Sequence, residues 1–178
     1  MKRIISTILT AVILLTSPLT MDAKKPVDKQ KAMKEWANYE ATTQSVGQNG
    51  TKSLKVWGFG KKVDKAIEQA KKNAVHACLF KGVPGNSNAM KTPAIFANQG
   101  NILVLDENFE YFYDFFNENG DYLNYVNITT DGYPSGQDRR EVKGGYKVAV
   151  NVQVMYDNLK QRMKDDGILK SAADRFTY

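Results

Sequence analysis

The sequence predicts an α+β fold: a small, mainly antiparallel sheet packed on one long alanine-rich helix, with additional short helices. Three observations predict it. Tyr146, Val148, Val150, Val152 and Val154 alternate with Lys147, Ala149, Asn151, Gln153 and Met155, the period of two that gives a strand one buried and one wetter face. Asn49-Gly50 separates the strand-like runs Thr42–Gly47 and Ser53–Gly58. Asn-Gly readily takes the positive φ values of a type I′ turn, so this stretch reads as a hairpin. Finally, Val63, Ala66, Ile67, Ala70, Ala74, Ala77 and Cys78 fall within one arc about 120° wide when plotted at helical spacing.

Taken in order, Pro26–Tyr39 carries Met33, Trp36 and Ala37 at helical spacing and reads as a short helix or a lead-in. The second hairpin strand puts Leu54 and Val56 on one face and ends in Gly58-Phe59-Gly60. The helix over Val63–Phe80 then sets its alanine stripe against Lys65, Glu68, Lys72 and His76 on the opposite side. Glu68 and Lys72 have the favourable i,i+4 spacing. A stripe of alanines lets the helix axis lie close to a sheet, while Val75 and Leu79, off the stripe, are expected to touch a second element. Gly82-Val83-Pro84-Gly85 ends the helix. Residues 82–101 read as a long connection with a short turn at Ala94–Ala97.

Ile102–Leu105 is an apolar run ahead of a second helix, Asp106–Glu118. Phe109, Phe112, Tyr113, Phe115 and Phe116 occupy one half of it, and Asp106, Glu107, Glu110, Asp114 and Glu118 the other. A strand at Leu123–Ile128, a polar loop at Thr129–Gly145 and the alternating strand follow, the two strands pairing antiparallel. The last helix, Asp157–Asp166, carries Leu159 and Met163 and closes at Gly167, with Ile168-Leu169 folding back onto it. The chain has no internal repeat.

The first 23 residues carry a different message. Lys2-Arg3 precedes the uncharged run Ile4–Leu15, a Pro18 break, and Ala23 just before a lysine-rich start. This is the organisation of a secretory signal peptide. The apolar run is 12 residues, too short for the about 20 that a spanning helix needs. An uncleaved anchor is therefore disfavoured, and no membrane span is expected after cleavage. The absence of a cysteine after the run excludes the usual bacterial lipid attachment. The expected organisation is a signal peptide at 1–23, a lead-in segment at 24–50 and a single α+β domain at 51–178, exported to the periplasm or associated with the outer envelope. Cleavage removes Lys2, Arg3 and Asp22 and changes the formal charge from +6 to +5. Export argues against nucleotide and nucleic-acid partners. The one cysteine, Cys78, cannot form an internal disulfide.

Motifs that invite chemistry have simpler structural readings. Gly58-Phe59-Gly60-Lys61 lies between a strand and a helix, where a helix N-terminus attracts anions. A dinucleotide fingerprint, however, needs glycine where Val63 stands, and a P-loop needs Ser or Thr where Lys62 stands. The glycines are expected to make a tight strand-to-helix turn. Gly82-Val83-Pro84-Gly85 matches the glycine loop of an RNA-binding module only superficially. His76 is expected to face solvent, about 160° around the helix from a buried, inert Cys78, so the two form no dyad. One His and one Cys exclude a structural zinc site. The acidic stripe Asp106, Glu110, Asp114, Glu118 reads as a solvated face, because helical carboxylate sites draw ligands from several helices together with histidine. Asn117–Asp121 fails as a calcium loop, since the first ligand position falls on Phe115 and the twelfth on Val126. No cofactor or metal is expected.

Strand Leu54–Phe59 with Gly58-Phe59-Gly60, the helix Ala66/Ala70/Ala74/Ala77, and Val148–Val154 running into Leu159…Gly167-Ile168 resemble a bacterial envelope domain. That domain occurs in small outer-membrane lipoproteins and at the N-terminus of flagellar assembly protein T. The resemblance covers residues 50–82 and 146–169 and implies a compact sheet wrapped on one long helix, with a non-enzymatic, envelope-associated role. The chain departs from the pattern in lacking a lipobox cysteine and in carrying the aromatic helix, and no functional residue transfers.

The reading that follows is an exported cell-envelope protein that is not an enzyme and acts as an interaction or accessory module with an envelope protein partner. The alternative is a periplasmic small-ligand or glycan-binding protein. Phe109, Phe112, Tyr113 and Phe116 are the candidate partner-binding residues if their rings are exposed, although core packing is the default for such a cluster. Arg139 and Arg140 join them because the polar loop is where function concentrates. An enzyme would instead require a cleft grouping carboxylates such as Asp106 and Asp121 with Arg139 or Tyr133.

Overall fold

A computed structural model describes residues 28, 29, 33, 38–47 and 50–170. The expected signal peptide, most of the expected lead-in helix including Trp36, the turn residue Asn49, and residues 171–178 lie outside the described residues. No helix among the described residues is long and apolar enough to cross a membrane.

The fold is α+β, a curled antiparallel sheet with several helices. The hairpin forms as expected, from β1 (Ala41–Val46) and β2 (Lys52–Gly60), with Gly50 at φ 69. β1 belongs to the sheet, so the folded unit includes residues assigned above to the lead-in. The alternating strand is β5 (Gly145–Val154), which forms the centre of the sheet. It pairs antiparallel with β2 along one side, in the register Leu54↔Val152, Val56↔Val150 and Gly58↔Val148. Along its other side, its C-terminal end pairs with β3 (Val126–Ile128) and its N-terminal end with β4 (Arg139–Val142). β1 has its outer edge covered by the long connection: Thr43 N–H donates to Pro84 O at 2.9 Å, and Asn86 Nδ2 donates to Thr43 O at 2.9 Å.

Helix α1 (Val63–His76) continues as a π-turn, Ala77–Lys81. It lies on the face of the sheet that carries Leu54, Val56, Val148, Val150, Val152 and Val154, all fully or almost fully buried. Ala66, Ala70 and Ala74 face the strands with no exposed area. Gly58 and Gly60 sit directly beneath the helix. Neither has a positive φ, so their role is close approach rather than a left-handed turn. A Cβ on Gly58 would lie 2.1 Å from Ala66 O, and one on Gly60 would lie 2.5 Å from Ala66 N. The π-turn shifts the last carbonyls, and the connection meets them. Gly82 N–H donates to Ala77 O, Ile95 N–H to Cys78 O and Phe96 N–H to Leu79 O, at 2.7 to 3.0 Å. Carbonyls that a helix C-terminus leaves unpaired are satisfied in this way.

The C-terminal end of the other side of α1 is also covered, and this overturns one expectation. His76 is buried at 5% exposure, not solvent-facing. The reason is a second helical layer. α2 (Asn101–Glu107) and α3 (Phe109–Phe115) pack there, so His76 and Phe80 meet rings instead of water, and Val75 and Leu79 are fully buried. The single helix expected at 106–118 is thus two. Its first turn starts earlier, at Asn101, and the apolar run Ile102–Leu105 is helical. Asn108 breaks the run with φ −113 and ψ 33, its side-chain amide donating to Val104 O at 2.9 Å.

Two expected segments also change. Asp121–Tyr125 is a 3₁₀ turn that buries Tyr122, which leaves only Val126–Ile128 of the expected strand. The expected polar loop Thr129–Gly145 contains a 3₁₀ turn at Gly136–Asp138 and the strand β4. The last helix, α4 (Tyr156–Asp165), buries Leu159 and Met163. It closes as expected: Gly167 has φ 73, Gly167 N–H donates to Lys164 O at 2.9 Å, and Ile168 N–H donates to Met163 O at 3.0 Å. These are the two hydrogen bonds of a Schellman motif.

Candidate functional site

Phe109, Phe112 and Phe116 are buried at 6%, 0% and 1% exposure. Phe112 packs edge-on against Phe80, Phe96, Tyr111 and Phe115. Tyr113 is half-buried and stacks on Phe109 at 5.9 Å. The rings therefore build the second layer of the core, which is where their burial stabilises most, and they do not form an exposed contact surface. Arg139 and Arg140 lie on β4, not in a loop, because this segment pairs with Tyr146–Val148 of β5. The arginines point to opposite faces: Arg139 stacks over Tyr146 at 5.0 Å and Arg140 over Trp57 at 5.3 Å.

The residues proposed above for a carboxylate cleft are not brought together. Asp106 pairs with Lys29 at 2.7 Å and Asp121 with Arg162 at 3.0 Å. Tyr133 donates to Asp64. Among the described residues, no three His, Cys, Asp or Glu side chains gather where they could hold a metal ion. Burial pushes the Cys78 thiol up to about 12 and pulls His76 down to about 3, the latter aided by the Lys81 charge. Both stay neutral near neutral pH. His76 Nδ1 lies 2.9 Å from the Tyr39 hydroxyl, and its Nε2 is buried without a partner.

A concave site lies elsewhere, at the place where β1 ends before β2 does. Trp57 N–H donates to Glu40 O at 2.9 Å, the last backbone bond across this edge among the described residues. In an antiparallel strand successive outward-facing groups recur every second residue. The N–H and C=O of Phe59 therefore point away from β5, with no strand beside them among the described residues. The edge opens into a cleft of about 770 Å³, within the size range of ligand sites.

One wall of the cleft is α1. Asn73 is buried at 3% exposure and donates through Nδ2 to Trp57 O at 2.9 Å, while its Oδ1 accepts from Gln69 Nε2 at 2.9 Å. Asn73 thus replaces the missing strand at one carbonyl. Lys72, one residue before it, also lines the cleft. It is half-buried, and no carboxylate lies within ion-pair distance of it among the described residues. Burial lowers its pKa from the ordinary lysine value, against the attraction of Glu118 and Glu68. Both of those carboxylates are engaged by Lys65.

Round the edge of β2, the cavity continues onto the sheet face that α1 does not cover. Phe59 stands there at 50% exposure. Trp57, two residues earlier, has Arg140 at 5.3 Å and Lys147 at 5.1 Å from its ring centre. Such contacts hold cations over an aromatic face. Lys147 also pairs with Glu40 at 3.0 Å, whereas Arg140 has no carboxylate within ion-pair distance among the described residues. The surroundings of Trp57 and Phe59 are accordingly cationic and rich in hydrogen-bond donors.

None of Trp57, Phe59, Lys72, Asn73 and Lys147 was singled out from the sequence as a site residue. One signal was present: β2 alternates Leu54 and Val56 with Lys55, Trp57 and Phe59, which puts two large rings on the wetter face. No family model matches the chain, and no curated protein or solved structure is significantly similar to it.

Proposed function

We propose that this is an exported, non-enzymatic binding module of the cell envelope, and that it works through the cleft beside β2. The observation that carries this reading is the half-exposed Phe59 at the end of β2 that β1 leaves uncovered among the described residues, with the half-buried Lys72 lining the same cleft. Large exposed rings and desolvated cations are the groups that dominate binding energy at interfaces. The leader-like sequence at 1–23 supports export. The dispersal of Asp106, Asp121, Tyr133 and Arg139 onto separate partners supports a binding role over a catalytic one.

An accessory role with an envelope protein partner is the first form of this reading. A glycan or small-ligand binder is the second, favoured by the concavity of the site and the density of donors in it. The test is to tag the full-length protein, cross-link intact cells and recover what co-purifies from the envelope fraction. Material captured by the native protein and lost with Phe59→Ala is the expected result. Capture that is unchanged by Phe59→Ala places the working surface elsewhere and overturns the reading.

A further inference from the structure

One end of the sheet gathers cations around exposed apolar side chains. Phe59 of β2 stands opposite Lys147 of β5, and Lys147 stands opposite Arg140 of β4. Residues directly opposite share a face, as do residues two apart on one strand. Phe59, Trp57, Lys147, Arg140 and Val142 therefore lie together on the face that α1 leaves uncovered. Phe59 is 50% exposed there and Val142 38%. A Cβ on Gly144 would lie 3.9 Å from Phe59 Cζ, and one on Gly145 would lie 2.9 Å from Lys61 Cα. The Phe59 ring thus reaches the β4–β5 turn, which carries Lys143, and the connection bearing Lys61 and Lys62 adjoins that turn.

Lys61, Lys62, Arg140 and Lys143 are exposed, and none lies within ion-pair distance of a carboxylate among the described residues. The neighbouring acids are mostly engaged elsewhere. Glu40 pairs with Lys147, Asp138 pairs with Lys55, and Asp64 accepts from Tyr133. Glu141 alternates onto the other face of β4, with Arg139. Cations ringing exposed apolar groups match a surface that is anionic outside and apolar beneath, which is the surface of an acidic lipid bilayer. A polyanion in solution would leave Phe59 and Val142 without a partner.

We propose that this end of the sheet docks on a bilayer containing acidic phospholipid. Phe59 and Val142 enter the headgroup region, and Lys61, Lys62, Arg140 and Lys143 meet lipid phosphates. The docking surface goes beyond the cleft described above, and of these residues only Phe59 also lines the cleft.

Co-sedimentation of the protein purified from producing cells with lipid vesicles tests the proposal. Equimolar phosphatidylcholine and phosphatidylglycerol should bind it, and phosphatidylcholine alone should bind it far more weakly. Each lysine at an acidic surface is worth about fivefold in affinity. Lys61→Gln, Lys62→Gln and Lys143→Gln combined should therefore cost on the order of a hundredfold toward the charged vesicles. The same three-charge change at the exposed Lys91, Lys160 and Lys164, each made Gln, should cost only a few-fold. Phe59→Ala should cost about fivefold, from the exposed part of one ring that enters the interface. Equal binding to both vesicle types, or equal losses in the two triple variants, would overturn the proposal. So would polyglutamate that binds as tightly as the charged vesicles and is indifferent to Phe59→Ala, which would make the patch a site for acidic chains. The outcomes also separate this surface from the cleft. No vesicle binding, with capture in cells that Phe59→Ala removes and the three lysine changes spare, overturns the docking and leaves the cleft standing. Lysine-dependent vesicle binding, with capture indifferent to Phe59→Ala, does the reverse.

Discussion

Gly58 is the position where the packing of α1 on the sheet can be tested most sharply. A Cβ there would lie 2.1 Å from Ala66 O, 2.5 Å from Ala70 N and 2.9 Å from Ala70 Cβ. Two of the three obstacles are helix backbone, which cannot rotate aside as a side chain can. Overpacking of this kind costs about 1–3 kcal/mol, and rigid neighbours place Gly58→Ala at the upper end. Replacing glycine also removes conformational freedom from the unfolded chain, which returns up to about 1 kcal/mol. The net expectation is a loss of about 2 kcal/mol. With a urea slope of about 2 kcal/mol per M, the midpoint falls by about 1 M. Adding Ala70→Gly removes only the Cβ contact, so it should fail to rescue and should cost about a further 1 kcal/mol for glycine in a helix. Equilibrium urea unfolding of the three variants is the assay. A Gly58→Ala midpoint equal to that of the native protein, or full rescue by Ala70→Gly, would refute the close-approach account.

Further predictions follow from the same packing. His76 is pulled down to about 3 in the folded protein but titrates near about 6.5 when unfolded. The unfolded chain therefore binds more protons between those values, and stability is lost as the pH falls through that window. Between pH 7 and pH 5 the His76 contribution is about 2 kcal/mol, so denaturant midpoints should drop, and His76→Phe should flatten the slope over that range. Phe112→Ala removes a fully buried ring that packs against five others. It should cost about 3–5 kcal/mol in unfolding measurements, so any binding lost with it would report lost structure. Cys78 is buried and its thiol is pushed up to about 12. A thiol reagent at pH 8 should label it only after denaturation, as mass spectrometry would show.

The elements legible in the sequence are those whose environment has one wet side. β5 shows clean alternation because one of its faces meets α1 and the other stays open, and the β1–β2 hairpin and the Gly167 closure are set by local turn chemistry. The elements that sequence reasoning misplaced have two dry sides or an unusual end. His76 falls on the polar arc of α1, yet the aromatic layer buries the His76 end of that arc, while Lys65 and Glu68 stay at the surface. Ile102–Leu105 reads as lying ahead of the helix because four apolar residues in a row carry no helical period. In the structure, Val104 and Leu105 face the core, while Ile102 and Leu103 stay exposed at 77% and 56%. The candidate site was less legible still. The aromatic helix drew attention by composition, whereas the cleft arises because β1 stops short of the end of β2, a difference in strand length that no motif records. Lys72 belongs to the site only because α1 runs alongside that open edge.

The claim that the cleft is the working surface is tested most directly by site-specific photo-cross-linking in intact cells. A photoreactive residue placed at position 59 reports on the cleft, and one at position 102 reports on the exposed apolar residue of α2. The account predicts a discrete adduct from position 59 and none from position 102. An adduct from position 102 alone would contradict it and move the function to the helical layer.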